Sequence, residues 1–178
     1  MIIAIGGPPG SGKSTAAALY AETHGCTLVS AGQTFREGAR ARGLSLEAYG
    51  AYAATHPEVD RELDALVLRR AAELAMSGDV VTDGRLQAAL FAREKVPSLR
   101  VLVDAPLEVR AERVAKREGI PPGEARRQIL IRESSERARY RELYGLEAND
   151  RAHYDLVLDS STLSPEEIVA AIRARVVG

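Results

Sequence analysis

A chain of 178 residues, 46% of them hydrophobic, is long enough to bury one α/β core and too apolar to stay disordered, so a single domain over residues 1–178 is expected. A formal net charge of −1 speaks against a general nucleic-acid binder, and the lone cysteine, Cys26, excludes an intramolecular disulfide and a thiolate metal cluster. No apolar run approaches a membrane span and none resembles a secretory signal, so a cytoplasmic protein without membrane partners is expected.

In chain order, Ile2-Ile3-Ala4-Ile5 reads as a buried strand, and Lys13 onward as a helix rich in alanine and leucine. Thr27 to Val29 is a short strand, with Cys26 before it as a small buried hydrophobe. Helices are predicted over Thr34–Arg42, Leu46–Thr55 and Glu58–Met76, the second with Ser45 as N-cap and Glu47 as an acid in its first turn. Val59, Leu63, Leu66, Val67 and Leu74 fall mostly on one face of the third. Strands follow at 79–83, 99–103 and 154–158, and helices at 86–93, 107–118 and 124–144. Ser164-Pro165-Glu166-Glu167 opens the last helix with a cap, an N1 proline and two acids. Alternating strands and helices imply a five-stranded parallel sheet with helices on both faces. His24, His56 and His153 have neither metal nor triad spacing and read as structural.

The chemistry starts between the first strand and first helix. Gly7-x-x-x-x-Gly12-Lys13-Ser14 matches the phosphate-binding loop pattern in full, with strand before and helix after. Gly10 and Gly12 allow the backbone to approach a phosphate, successive N–H groups converge on the anion, and the helix adds its positive end. Lys13 suits the β- and γ-phosphates and Ser14 suits Mg²⁺. Ligands of such a sheet bind beyond the C-terminal strand ends. There the chain carries Ser30 to Arg36, Asp83-Gly84-Arg85 and Asp104-Ala105-Pro106. Arg36 and Arg85 are expected to flank a space beside the loop, suited to a second phosphate that belongs to an acceptor. Residues 110–141 hold ten basic residues against five acidic ones, a local +5 in a chain whose remainder is −6. Such a cluster suits a small polyanion; a solvated helix of mixed charge is the other reading of the same count.

The strand ends resemble those of the nucleoside monophosphate kinases. Ser30-Ala31-Gly32-Gln33-Thr34-Phe35-Arg36 is similar to the adenylate kinase segment that ends in an acceptor-phosphate arginine, and Asp83-Gly84-Arg85 to the Asp-Gly-Arg of cytidylate kinases. His56 to Asp64, Arg132 to Tyr140 and Tyr154 to Asp159 resemble the archaeal type of cytidylate kinase, and the likeness spans nearly the whole chain. It implies a P-loop kinase fold with an acceptor-binding flap at 33–72 and a short lid at 118–145. It also implies transfer of the ATP γ-phosphoryl group to CMP or dCMP with Mg²⁺, by a monomer acting on small nucleotides and not on nucleic acid. ATP is then expected on Gly7, Pro8, Pro9, Gly10, Ser11, Gly12, Lys13, Ser14 and Thr15, with Arg113 against the adenine and Arg117 near the phosphates. The acceptor is expected on Gly32, Arg36, Asp60, Arg61, Asp64, Asp83, Gly84, Arg85 and Glu136. Lys13, Arg85, Arg132 and Arg139 are the implied catalytic residues, and Ser14, with Asp83 through water, the implied metal ligands. Arg132, Glu136 and Arg139 share one helix face, as a lid reaching over phosphates requires; ordinary helix ion pairs have the same spacing. Asp60, Arg61 and Asp64 can read a pyrimidine edge or stand as solvated charges. An adenylate kinase or other small-acceptor kinase of this fold remains an alternative, as does a non-catalytic nucleotide-binding accessory protein. A GTPase is disfavoured by the lack of any Asn-Lys-x-Asp segment.

Overall fold

Ile2–Gly6 (β1) is buried along its whole length, as a strand covered on both faces must be. With Thr27–Ser30 (β2), Val80–Asp83 (β3), Leu99–Asp104 (β4) and Leu156–Asp159 (β5) it forms a parallel sheet of order β2-β3-β1-β4-β5. The computed structural model describes residues 1–177; the side chains of Leu46 and Glu47, and with them the acid expected in that helix, lie outside the described residues.

Side chains leave alternate strand positions for opposite faces. Ile3, Ile5, Val81, Val101 and Val103 meet Tyr20 of Lys13–His24 (α1) and Ile168 and Ile172 of Pro165–Val177 (α8). Ile2, Ala4 and Val80 meet Val67 and Ala71, and also Phe91. The first two belong to Pro57–Leu74 (α4), and the last to Gln87–Arg93 (α5). Ala31–Ala41 (α2), Leu46–Thr55 (α3) and the start of Pro57–Leu74 (α4) bury a smaller cluster of Ala39, Tyr49, Ala53 and Val59. After Gln87–Arg93 (α5), Leu107–Glu118 (α6) and Pro122–Tyr144 (α7) pack together through Ala111, Val114, Ala125 and Ile129.

Element ends differ from expectation for local reasons. α2 starts at Ala31 rather than Thr34, because Ser30 caps it by accepting from the Gln33 N–H at 3.3 Å. α7 starts at Pro122, where a missing N–H costs a helix nothing. A 3-10 turn at Arg151–His153 delays β5 to Leu156. Ser164 and Glu167 form the expected reciprocal cap of α8: the Glu167 N–H donates to Ser164 at 3.2 Å, and the Ser164 N–H to Glu167 at 2.8 Å. Cys26 is half-buried against the core, not fully enclosed. Among the described residues no helix is long and apolar enough to cross a membrane.

Candidate active site

The turn from β1 into α1 is fastened from below. Gly7 has φ 151°, and a Cβ there would lie 2.1 Å from the Val103 carbonyl oxygen. Gly10, at φ 78°, would meet the Arg110 carbonyl oxygen at 2.7 Å. The buried Arg110 guanidinium donates to the carbonyls of Ala105 (2.9 Å) and Pro9 (3.1 Å) and to Glu133 of α7 (2.6 Å). The Ser160 hydroxyl, past the end of β5, donates to the Ser11 carbonyl at 2.7 Å. Neither Arg110 nor Ser160 stands out in the sequence. The only trace of Arg110's role is an arginine on the otherwise apolar face of Ala111, Val114 and Ala115.

Lys13 opens α1. Burial lowers its pKa to about 8; the Asp83 and Glu136 carboxylates oppose the shift, and Arg85 and Arg132 add to it. On one side of Lys13 lies a cavity of about 360 Å³ formed by Gly10, Gly12, Ser14, Thr15, Arg113, Arg117 and the start of α8. Arg113 is held in its wall by the Ser160 hydroxyl (2.9 Å) and carbonyl (2.6 Å). Arg117 stands exposed beside it and pairs with Glu118. Gly7, Pro8, Pro9 and Ser11, expected to touch the donor, do not line this cavity. Gly7 and Ser11 are buried under the loop, and Pro8 and Pro9 face a separate space beneath α7.

On the other side lies a cavity of about 170 Å³, lined by Lys13, Ser14, Gly32, Asp60, Asp64, Asp83, Gly84, Arg85, Glu136 and Arg139. The register sets Asp83 opposite both Ile5 and Ser30, so its carboxylate reaches across to the loop. Asp83 accepts from the hydroxyls of Ser14 (3.1 Å) and Ser30 (3.2 Å). Arg85 pairs with Glu136, which also takes the Arg132 Nε at 3.1 Å. Asp60 and Asp64, one turn apart, are buried and not solvated. Burial raises the pKa of Asp60 against the pull of Arg139, and raises that of Asp64 to about 7. Asp64 accepts from the Tyr144 hydroxyl (2.9 Å) and the Gln87 amide (3.2 Å).

Three expected placements are not found. Arg61 is exposed and absent from the cavity, since one helical step carries it about 100° from Asp60. Arg36 is exposed, with its guanidinium 3.6 Å from where a Gly32 Cβ would stand, so it reaches the rim and does not oppose Arg85 across the cavity. Arg139 lies 3.0 Å from Asp60 rather than over the phosphate loop, because α7 crosses α4 at that point. Gln87 and Tyr144 were not anticipated. A single polar residue in the apolar run Leu86 to Phe91 is the one signal that marks Gln87.

The Ser14 hydroxyl and Asp83 carboxylate are hard oxygen donors, and no group of three or more His, Cys, Asp or Glu that could hold a metal occurs among the described residues. That set suits an ion coordinated mostly by phosphate and water, as Mg²⁺ is. Lys13 and Ser14 line both cavities, so the two spaces meet at the phosphate loop.

Residues 2–162 match the model of the cytidylate kinase-like family. The chain belongs to this family. It is 46% identical over 183 residues to the cytidylate kinase of Methanopyrus kandleri, covering 99% of this chain and 93% of that one. With the cytidylate kinase of Pyrococcus horikoshii it shares 44% over 176 residues, covering 99% and 88%. Its fold is similar to that of the shikimate kinase of Bacteroides thetaiotaomicron, with TM-score 0.66 at 14% identity over 100% and 99% of the two chains. Membership makes the chain an ATP-dependent nucleoside monophosphate kinase, and the alternation of strands and helices is that of P-loop kinases.

Proposed function

We propose that this protein transfers the γ-phosphoryl group of ATP to CMP or dCMP, giving ADP and CDP or dCDP. The observation that carries this reading is the meeting of two cavities at Lys13 and Ser14. One offers the phosphate loop and the Arg113 wall to a donor nucleotide; the other offers Arg85 and a buried polar wall to an acceptor. The curated relatives named above are cytidylate kinases, which supports cytosine as the base.

The acceptor is already an anionic phosphate, so no general base is needed, and positioning with charge stabilisation carries the rate. Loop N–H groups and the α1 N-terminus hold the donor phosphates, and Lys13 bridges their outer oxygens. Mg²⁺, held by Ser14 and through water by Asp83, would neutralise charge between the β- and γ-phosphates. Arg85 exchanges Glu136 for the acceptor phosphate, and Arg132 approaches the transferred group from α7. The same reading makes the protein a monomer acting on free nucleotides in the cytoplasm.

The test is ADP release with CMP, dCMP, UMP, AMP, GMP and shikimate side by side. CMP and dCMP are expected to give the highest kcat/KM; preference for AMP or shikimate would refute the reading.

A further inference from the structure

Among the described residues few buried side-chain nitrogen or oxygen atoms lack a hydrogen-bond partner, and three of those belong to the acceptor cavity. Two of the three, Asp60 Oδ2 and Arg139 Nε, face each other at 3.0 Å as an ion pair, which leaves Gln87 Oε1 alone without a polar partner there. An unpaired buried acceptor is costly, so this one on the cavity wall marks a place where a ligand donor completes the bonding. The Gln87 amide is the informative one. Its Nε2 donates to Asp64 Oδ1 at 3.2 Å, and a carboxylate accepts only, so the amide is held with its nitrogen toward Asp64. Its Oε1 is thereby left as a bare acceptor, against Gly84, where a Cβ would lie 1.7 Å away. Asp64 is itself fixed from the far side by the Tyr144 hydroxyl at 2.9 Å.

Resting on the reading of the cavity as the acceptor site, we propose that Gln87 selects cytosine over uracil, and that the Asp64 carboxylate acts as a positioning residue by locking the Gln87 amide. Cytosine carries an amino group at position 4, which donates to the Gln87 carbonyl oxygen. Uracil carries an oxygen there, which sets two acceptors face to face and leaves both unpaired. A neutral Asp64 offers a hydroxyl donor of its own. The amide then turns, presents its NH₂ group and welcomes uracil. Asp64 is faced by Asp60 from its own helix, by Arg139, Tyr140 and Tyr144 from α7, and by Arg93 from α5. Its burial brings its protonation to about pH 7, within working range.

The experiment measures kcat/KM for CMP and UMP in wild type, Asp64→Asn and Gln87→Met, each variant checked by thermal melting. The CMP-to-UMP ratio is expected to fall about tenfold in both variants. In wild type it should also fall as the pH is lowered from about 8 to about 6, and in Asp64→Asn stay flat, a readout that needs no folded Gln87 variant. Using a ratio removes the titration of the nucleotide phosphate, which both acceptors share. A wild-type enzyme that prefers another base overturns the reading beneath. Preference for CMP with a ratio unmoved in both variants and across pH overturns the roles of Gln87 and Asp64 alone.

Discussion

The two sides of Lys13 are built by different means. The donor side is mostly local backbone: one strand, one glycine turn and the start of one helix within residues 2–15, with Arg110 and Ser160 tied in from behind. Gly7 and Gly10 have no freedom to change, because Val103 and Arg110 occupy the space of their absent side chains. The acceptor side is a convergence of side chains from β3, α4, α5 and α7, among them Asp60, Asp64, Asp83, Gln87, Glu136 and Arg139. Any anion-binding loop can recur in many folds because backbone N–H groups do the binding. Base selection has to come from side chains brought together over long chain separations.

The largest expected effect tests the point where the sides meet. Lys13→Ala should lower kcat by about 10³-fold with every acceptor, measured by coupled ADP release. Full activity would dissolve the shared centre. Next, Arg85→Ala should raise the acceptor KM about 10²-fold and leave the ATP KM within about twofold. An equal rise for both nucleotides would show that the division into two sides is wrong at this residue.

A smaller effect concerns stability. Asp64 protonates more readily in the folded chain, at about 7, than its ordinary value of 3.8. The folded state therefore binds more protons in that window. The contribution is full below the ordinary value and is lost as pH rises through about 7. Melting of wild type against Asp64→Asn should show wild type losing on the order of 1 kcal/mol relative to the variant between about pH 5 and about pH 8. A difference that is flat in pH would mean Asp64 is not buried as described. Smallest of all, Arg61→Ala should leave both KM values within about twofold, as suits an exposed charge outside the cavity. A large loss of CMP affinity would return Arg61 to the base site.

The fold and the donor loop were legible because both write short-range patterns: buried strands as apolar runs, helix starts as Ser164-Pro165 or Ser45, the phosphate loop as fixed glycine spacing. The acceptor side was legible only in part. Asp60 and Asp64 were visible as one helix face, yet the neighbouring Arg61 looked an equally good partner until α7 supplied Arg139 instead. Gln87 sits in an apolar run and carries no motif at all.

Local spacing by itself determined that strands and helices alternate, the pattern of a parallel sheet, with a phosphate site at the end of the first strand, since apolar runs, helix caps and the glycine spacing of the loop are all short-range patterns. Only the tertiary structure decided which arginine meets Asp60, that Asp64 is buried, and which way the Gln87 amide points. Those outcomes depend on how α7 lies across α4 and α5, and no residue records that crossing in its own sequence neighbourhood.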